Sequence, residues 1–141
     1  MTFFMANEVF VDTSGFYALL VKGDNQHRAA GVILCEAQRR KRRFVTTDHV
    51  LDETATLLKA CGHVHMLGAF FDRLLKSQAC RIEWTDPARF HGAQAFFLKH
   101  ADQAWSFTDC LSFRIMKELR LRDALTKDGH FREAGFAVLL K

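Results

Sequence analysis

Proline and glycine, the residues that most often interrupt secondary structure, are both scarce in this sequence of 141 residues. Pro87 is the single proline, there are eight glycines, and no stretch is rich enough in Ser or Gly to form a flexible linker. A chain of this length closes one substantial hydrophobic core but not two. We therefore expect one domain that spans residues 1–141.

Long apolar runs are also missing. Runs such as residues 16–21 and 137–140 fall far short of the roughly 20 residues that a membrane-spanning helix needs. Residues 1–7 lack the basic start and the long apolar stretch of a secretory signal. We expect no transmembrane helix and a cytoplasmic location.

The few cysteines are widely separated and form no C-x-x-C pair. They are Cys35, Cys61, Cys80 and Cys110. This spacing argues against a zinc cage or a thioredoxin-type site and predicts buried, reduced thiols. No zinc spacing emerges around His63, His65, His91 or His100 either, so surface or packing roles are favoured for these histidines.

Short strand-like runs alternate with segments of helical periodicity. The runs are residues 8–11, 43–47, 80–85 and 123–126, followed by a final apolar run at 136–140. This alternation predicts an α/β fold in which helices cover both faces of a central parallel sheet.

Polar residues mark the expected starts of the helices. Ser14 and Asp48 are predicted N-caps, and Ser106 is predicted to begin a later helix. Another helix is expected from about Asn25, and Asp86 with the following proline opens a further one.

Four carboxylates occupy positions where α/β sheets form ligand sites. Asp12 and Asp128 follow strands, Asp109 lies in the first turn of a helix, and Glu53 lies in the early turns of another. If the first and fourth strands are neighbours at a switch point, Asp12 and Asp128 face one crevice bordered by Asp109. Glu53 reaches towards the same crevice from its helix.

Several carboxylates in one dry cleft repel one another unless they are protonated or a cation neutralises them. Oxygen ligands suit Mg²⁺ or Mn²⁺ better than zinc. Such an ion lowers the pKa of a bound water and offsets charge on a phosphate. Such ions commonly serve phosphodiester cleavage, but any one of these acids taken alone is more often a solvated residue or a helix cap.

The formal charge of +4 is modest, but a basic surface around an acidic pocket suits a polyanionic substrate. The run RRKRR at residues 39–43 has two explanations that remain open. It either grips RNA phosphates or is simply a charged helix end that enters a loop.

Short motifs surround the four acids. They are VDTSG at 11–15, LDET at 51–54, WSFTDCLSF at 105–113, and ALTKDGHF at 124–131 with AGF at 134–136. Each is weak alone, but their order and spacing along nearly the whole chain resemble the PIN-domain family. Within that family, the motifs resemble the VapC-type toxin ribonucleases of toxin–antitoxin pairs.

The resemblance implies a PIN domain with about five parallel strands and an endoribonuclease that depends on a divalent metal. A water attached to the metal would attack the phosphate. The resemblance also implies frequent homodimers, inhibition by a cognate antitoxin, and transfer RNA as a family-level substrate.

The family pattern also assigns roles to the acids. Asp12 and Asp109 are expected to be the principal metal ligands, with Glu53 and Asp128 completing or supporting the site. Residues expected to orient ligands or water, or alternatively to serve as caps and turn residues, are Thr13, Ser14 and Thr108.

Two further features carry weaker expectations. His130 either contacts substrate or has a structural role in its turn, and the structural role is favoured. The adjacent aromatics at 70–71 and 96–97 point to different helix faces, which suggests a homodimer that covers the exposed members.

Competing functions remain. A signalling receiver expects paired acids near the first strand, and an Asp-nucleophile phosphatase expects a second Asp where this chain has Ser14. Both are disfavoured. A housekeeping RNA-processing nuclease and a non-catalytic PIN-like scaffold that binds RNA or protein stay open beside the toxin.

Overall fold

Five short parallel strands form one sheet in the computed structural model, which describes residues 7–141. The strands are β1 (Val9–Val11), β2 (Phe44–Thr47), β3 (Cys80–Glu83), β4 (Asp123–Leu125) and β5 (Ala137–Val138). Their order is β3-β2-β1-β4-β5, with Val9 in register with Phe44 on one side and with Asp123 on the other. The expected α/β fold with about five parallel strands is confirmed.

Seven α-helices within the described residues connect these strands. They are α1 (Thr13–Leu20), α2 (His27–Arg39), α3 (Asp48–Ala60), α4 (Leu67–Lys76), α5 (Pro87–Lys99), α6 (Phe107–Glu118) and α7 (Gly129–Glu133). The chain runs outwards from β1 to β3 and then, in the other direction, from β4 to β5. Because crossovers between parallel strands are right-handed, these two halves place their helices on opposite faces of the sheet.

The core is formed where the central strands meet these helices. All three residues of β1 are buried, and Phe10 packs against the fully buried Phe131 of α7. Phe131 in turn makes an edge contact with Phe113 of α6, with ring centroids 4.9 Å apart. Burying one such ring stabilises the fold by roughly 1.5–3 kcal/mol, so this aromatic stack fixes α6 and α7 against β1.

The helix starts show which cap predictions hold. Ser106 and Asp86 are N-caps, as expected, and their side chains accept hydrogen bonds from the N–H groups of the third helical residues. The cap predicted at Asp48 is wrong by one residue, because the Thr47 hydroxyl accepts the Val50 N–H at 3.2 Å. Asp48 instead accepts two hydrogen bonds from Thr85.

The prediction of Ser14 as an N-cap is also wrong. The chain enters α1 immediately after β1, so Asp12 occupies the N-cap position and Ser14 lies inside the first helical turn. Its hydroxyl is therefore available to bond across to the loop that follows β4.

Several boundaries differ from the expected ones. The second helix begins at His27 rather than near Asn25, the third strand ends at Glu83, and the short helix α7 was not predicted. Cys35 and Cys61 are exposed, so the prediction of buried thiols holds for Cys110 but is wrong for these two.

No helix among residues 7–141 has the length and apolar character needed to cross a bilayer, as expected. The expectation about a secretory signal rests mainly on residues 1–6, which lie outside the described part of the chain.

Candidate active site

The acidic residues converge at the carboxyl ends of β1 and β4. These two strands are neighbours, and the chain leaves them towards opposite edges of the sheet, which makes this the topological switch point. Asp12 follows β1 directly, Asp128 follows β4 after two further residues, and α6 brings Asp109 from its first turn. The first and fourth strands are therefore neighbours at a switch point, which is the condition under which the sequence predicts that Asp12 and Asp128 meet.

Asp12 is buried, and its environment disfavours the charged form. Burial, together with the negative charges of Asp109 and Asp128, raises the pKa of Asp12 to about 7, although hydrogen bonds from the Thr13 backbone and the Thr126 hydroxyl oppose the shift. The three carboxylates are therefore close enough to repel one another. A bound cation would relieve this repulsion.

A chain of hydroxyl groups, which we call the hydroxyl relay, orients Asp12. Ser14 Oγ accepts the Lys127 N–H at 3.0 Å and lies 2.9 Å from Thr126 Oγ1, which is 3.1 Å from Asp12 Oδ2. Thr126 Oγ1 also accepts the Asp128 N–H at 3.0 Å. Because each hydroxyl carries one proton and an ionised carboxylate only accepts, Ser14 donates to Thr126 and Thr126 donates to Asp12.

Asp109 is held by a capping box and by a histidine. Its Oδ2 accepts the Ser106 N–H at 3.1 Å, while the Ser106 hydroxyl accepts the Asp109 N–H at 3.0 Å. His130 Nδ1 lies 3.0 Å from the same Oδ2, so this ring nitrogen is the donor. The hydrogen bond to Asp109, followed by the negative charge of Asp128, raises the pKa of His130.

Asp128 caps the short helix that carries this histidine. Its Oδ1 accepts the His130 N–H at 2.9 Å. Ligand atoms of Asp109, Asp128 and His130 all lie within 4.8 Å of one another, the one group of this kind among residues 7–141. We call Asp12, Asp109, Asp128 and His130 the acidic site.

Glu53 stands apart from this cluster. It is exposed on α3 and is connected to the site through Thr13, whose hydroxyl donates to Glu53 Oε1 at 2.9 Å. Thr108 is half-buried in the first turn of α6, next to Asp109. Thr13 and Ser14 both contact residues of the predicted set, but the orienting role assigned to them and to Thr108 stays a prediction.

Gly15 allows α1 to start close enough to β4 for the hydroxyl relay to form. A Cβ atom at this position would lie 2.0 Å from the carbonyl oxygen of Leu125, well inside contact distance. The glycine of the VDTSG motif is therefore required by packing at the end of β4.

Thr126 was not singled out from the sequence, although it is fully buried and central to the relay. Its position at the carboxyl end of a strand, two residues before Asp128, is the signal that identifies it. His130 was considered, but the sequence did not indicate its contact with Asp109, since that contact joins α6 to α7 across the fold.

The donor set suits a hard divalent ion. It contains carboxylate oxygens and one imidazole, without a cysteine, which matches Mg²⁺ or Mn²⁺ better than a structural zinc site. Burial first, and the charges of Asp109 and Asp128 after it, raise the pKa of Asp12 to about 7, so a bound cation would favour its charged form.

Comparisons with known proteins agree with this geometry. The PIN domain family model matches residues 9–137. The chain is 34% identical over 129 residues to the 23S rRNA-specific endonuclease VapC20 of Mycobacterium tuberculosis, covering 91% of this chain and 95% of that protein. It is 30% identical over 116 residues to a VapC ribonuclease of Archaeoglobus fulgidus, covering 79% of this chain and 72% of the relative.

A solved structure of a VapC toxin also resembles this chain in fold and sequence. The crystal structure of Mycobacterium tuberculosis VapC20, described as a sarcin-ricin loop cleaving toxin, matches with a TM-score of 0.78 and 32% identity. The match covers 94% of this chain and 99% of that one. The five-stranded sheet with acids at its switch point is thus the architecture of a PIN domain, and the chain belongs to the PIN-domain family. Within that family it is a VapC-type ribonuclease, as the four motifs predicted.

Proposed function

We propose that this chain is the toxin of a VapBC-type pair and cuts RNA at the acidic site with the help of Mg²⁺ or Mn²⁺. The observation that carries the proposal is the convergence of Asp12, Asp109 and Asp128 at the switch point, where the pKa of Asp12 is raised to about 7. Carboxylates in this arrangement need a cation, and phosphodiester cleavage makes use of one.

Asp12, Asp109 and Asp128 would hold the ion, with Glu53 supporting the site from its rim. A divalent ion supplies a Lewis acid that lowers the pKa of water and offsets phosphate charge. The hydroxyl relay keeps the Asp12 carboxylate oriented, and the Ser106 N–H holds Asp109. Thr13 orients Glu53 through its hydroxyl.

Ribosomal RNA is the substrate class we propose to test first, because VapC20 is a 23S rRNA-specific endonuclease and matches 91% of this chain. Transfer RNA, the family-level expectation, is the second arm of the same test. We further propose a cognate antitoxin, a cytoplasmic location and one PIN domain spanning residues 1–141. Phe71 and Phe97 are 40% and 37% exposed, which supports a homodimer that covers them.

The test uses purified protein, free of antitoxin, with labelled ribosomal and transfer RNA in Mg²⁺, in Mn²⁺ and in chelator. Asp109→Asn keeps a cap acceptor but removes the charge, and Asp52→Asn removes an exposed charge from α3 as a matched control. We expect metal-dependent cleavage by wild type and by the control, and none by Asp109→Asn. Cleavage that survives in Asp109→Asn, or that needs no metal, would contradict the proposed site.

A further inference from the structure

The amino end of the sheet carries a dense group of exposed cations. We propose that this group binds phosphates of a folded RNA at a distance from the acidic site, so that the protein grips its substrate at both ends of the sheet. The proposal rests on the RNA function proposed above. We call the group the basic end, formed by Arg39, Arg40, Lys41, Arg43, Arg120 and Arg122.

The topology brings two separate stretches of sequence together at this end. The α2–β2 connection and the α6–β4 connection lead into the two strands that flank β1. Arg42 Nη2 donates to Asp123 Oδ2 at 2.9 Å and joins the two connections directly. Arg43 and Arg122 directly precede Phe44 and Asp123, which are both in register with Val9, so the two arginines occupy equivalent positions on either side of β1.

Ion pairing does not account for most of these charges. Arg39 and Arg40 share the single carboxylate of Glu36. Four cations form no salt bridge within residues 7–141, and residues 1–6 contain no carboxylate that could provide one. They are Lys41, Arg43, Arg120 and Arg122.

Local folding explains only part of this group. Lys41 and Arg120 have φ angles of 56° and 58°, in the left-handed region where glycine or asparagine is usual after a helix. Cations near a helix C-terminus interact favourably with its dipole, but Arg43 and Arg122 lie beyond the helices and gain nothing from it. Arg43 and Arg122 are therefore the cations that a polyanionic partner explains best.

The separation of the two ends defines which RNA can reach both. Three residues of β1 span roughly 10 Å at 3.3 Å per residue, and loops extend further at each end. A single strand of two or three nucleotides that fills the acidic site has no phosphates at the basic end, whereas a folded RNA has phosphates that can reach it. Phosphate contacts add affinity without reading bases, so the basic end favours structured RNA over short RNA.

The test compares Arg43→Gln/Arg122→Gln with Lys59→Gln/Lys99→Gln, which removes the same charge from exposed positions on α3 and α5. Binding of 23S rRNA is measured over a salt series in the Asp109→Asn background, so that the RNA stays intact. We expect the slope of log K against log salt to fall by about 1.5 for the arginine pair, at 0.7–0.9 per lost phosphate contact. The lysine pair should leave the slope unchanged.

Cleavage is then measured with both double variants in a background that keeps Asp109. This measurement distinguishes a failure of the inference from a failure of the proposed function. We expect the arginine pair to raise KM for 23S rRNA about tenfold with kcat unchanged, and to leave cleavage of a trinucleotide RNA as it is. Equal slopes for the two double variants overturn the inference even if the wild type cuts RNA well. Loss of dimer mass in sedimentation with an unchanged slope would assign the basic end to protein contact and would also overturn it.

Discussion

The two ends of the sheet contrast in charge and in how that charge is held. At the carboxyl end, three carboxylates sit close together, and two of them are buried and fixed by hydrogen bonds from Thr126 and Ser106. At the amino end, exposed cations project from loops. Preorganised groups suit chemistry at one atom, and mobile surface charges suit phosphates whose positions vary. The comparison therefore predicts that changes at the carboxyl end affect kcat, whereas changes at the amino end affect binding.

Asp12→Asn should give the largest effect and should move activity and stability in opposite directions. Loss of this proposed metal ligand is expected to lower kcat on the order of 10³-fold. The pKa of Asp12 rises from 3.8 to about 7 on folding, so above pH 7 the folded state carries a charge that the unfolded state accommodates more easily. This loss of folding free energy is absent below pH 4 and grows between pH 4 and 7.

Asparagine carries no such charge, so metal-free Asp12→Asn should exceed wild type in unfolding free energy by about 1–3 kcal/mol at pH 8. Urea unfolding in chelator measures this difference. Adding Mn²⁺ should then raise the Tm of wild type more than that of the variant. A variant that is less stable than wild type in chelator would show that burial and the neighbouring carboxylates do not penalise the Asp12 charge.

Gly15→Ala tests whether the carboxyl end depends on close packing. The new Cβ would lie 2.0 Å from the Leu125 carbonyl oxygen, so α1 or β4 must shift, at a cost of about 3 kcal/mol in unfolding free energy. Gly31→Ala is the control, because this position in α2 has no neighbour within 4 Å and the change should stabilise by about 0.5–1 kcal/mol. The same sign of change in both variants would contradict the packing argument.

The sequence indicated the positions of Asp12 and Asp109 better than it indicated the residues around them. Asp12 and Asp109 were located because strand ends and helix first turns are local features that a short motif reveals. Thr47 and Asp48 are both good capping residues, so local preference could not decide between them. The contact of His130 with Asp109 depends on the packing of α7 against α6, which no local pattern encodes.

Thr126→Val removes the hydroxyl relay while keeping the side chain's shape. Ser14 and the Asp128 N–H lose an acceptor, and Asp12 loses a donor. We expect a 10- to 100-fold loss of kcat, the range typical for residues that support metal ligands. Thr126→Ser should restore most of the activity, and an equal loss in both variants would indicate a packing defect instead.

Glu53→Gln tests whether Glu53 contributes to the acidic site at the carboxyl end of the sheet. Glu53 is exposed and contacts Thr13, which is adjacent to Asp12, so we expect about a tenfold fall in kcat. Asp52→Asn removes the neighbouring exposed charge of the same helix and should have no effect. If the two variants behave alike in single-turnover cleavage, Glu53 is a solvated surface residue and the site consists of the other acids.

Arg42→Gln should have the smallest effect of these substitutions. Compared with Arg43→Gln, it distinguishes the cation at the amino end that stabilises the fold from the one that binds RNA. Its ion pair with Asp123 is about four-fifths buried on both sides, at 20% and 22% side-chain exposure, so breaking it should cost about 1 kcal/mol of unfolding free energy. Arg43→Gln, one residue away and exposed, should leave stability unchanged and weaken 23S rRNA binding instead. Urea unfolding measures the stability of both variants, and RNA titration measures their affinity. If both substitutions lower the unfolding free energy equally, the cations at the amino end stabilise the fold. The two ends of the sheet would then differ in charge without the cations having a role in RNA binding.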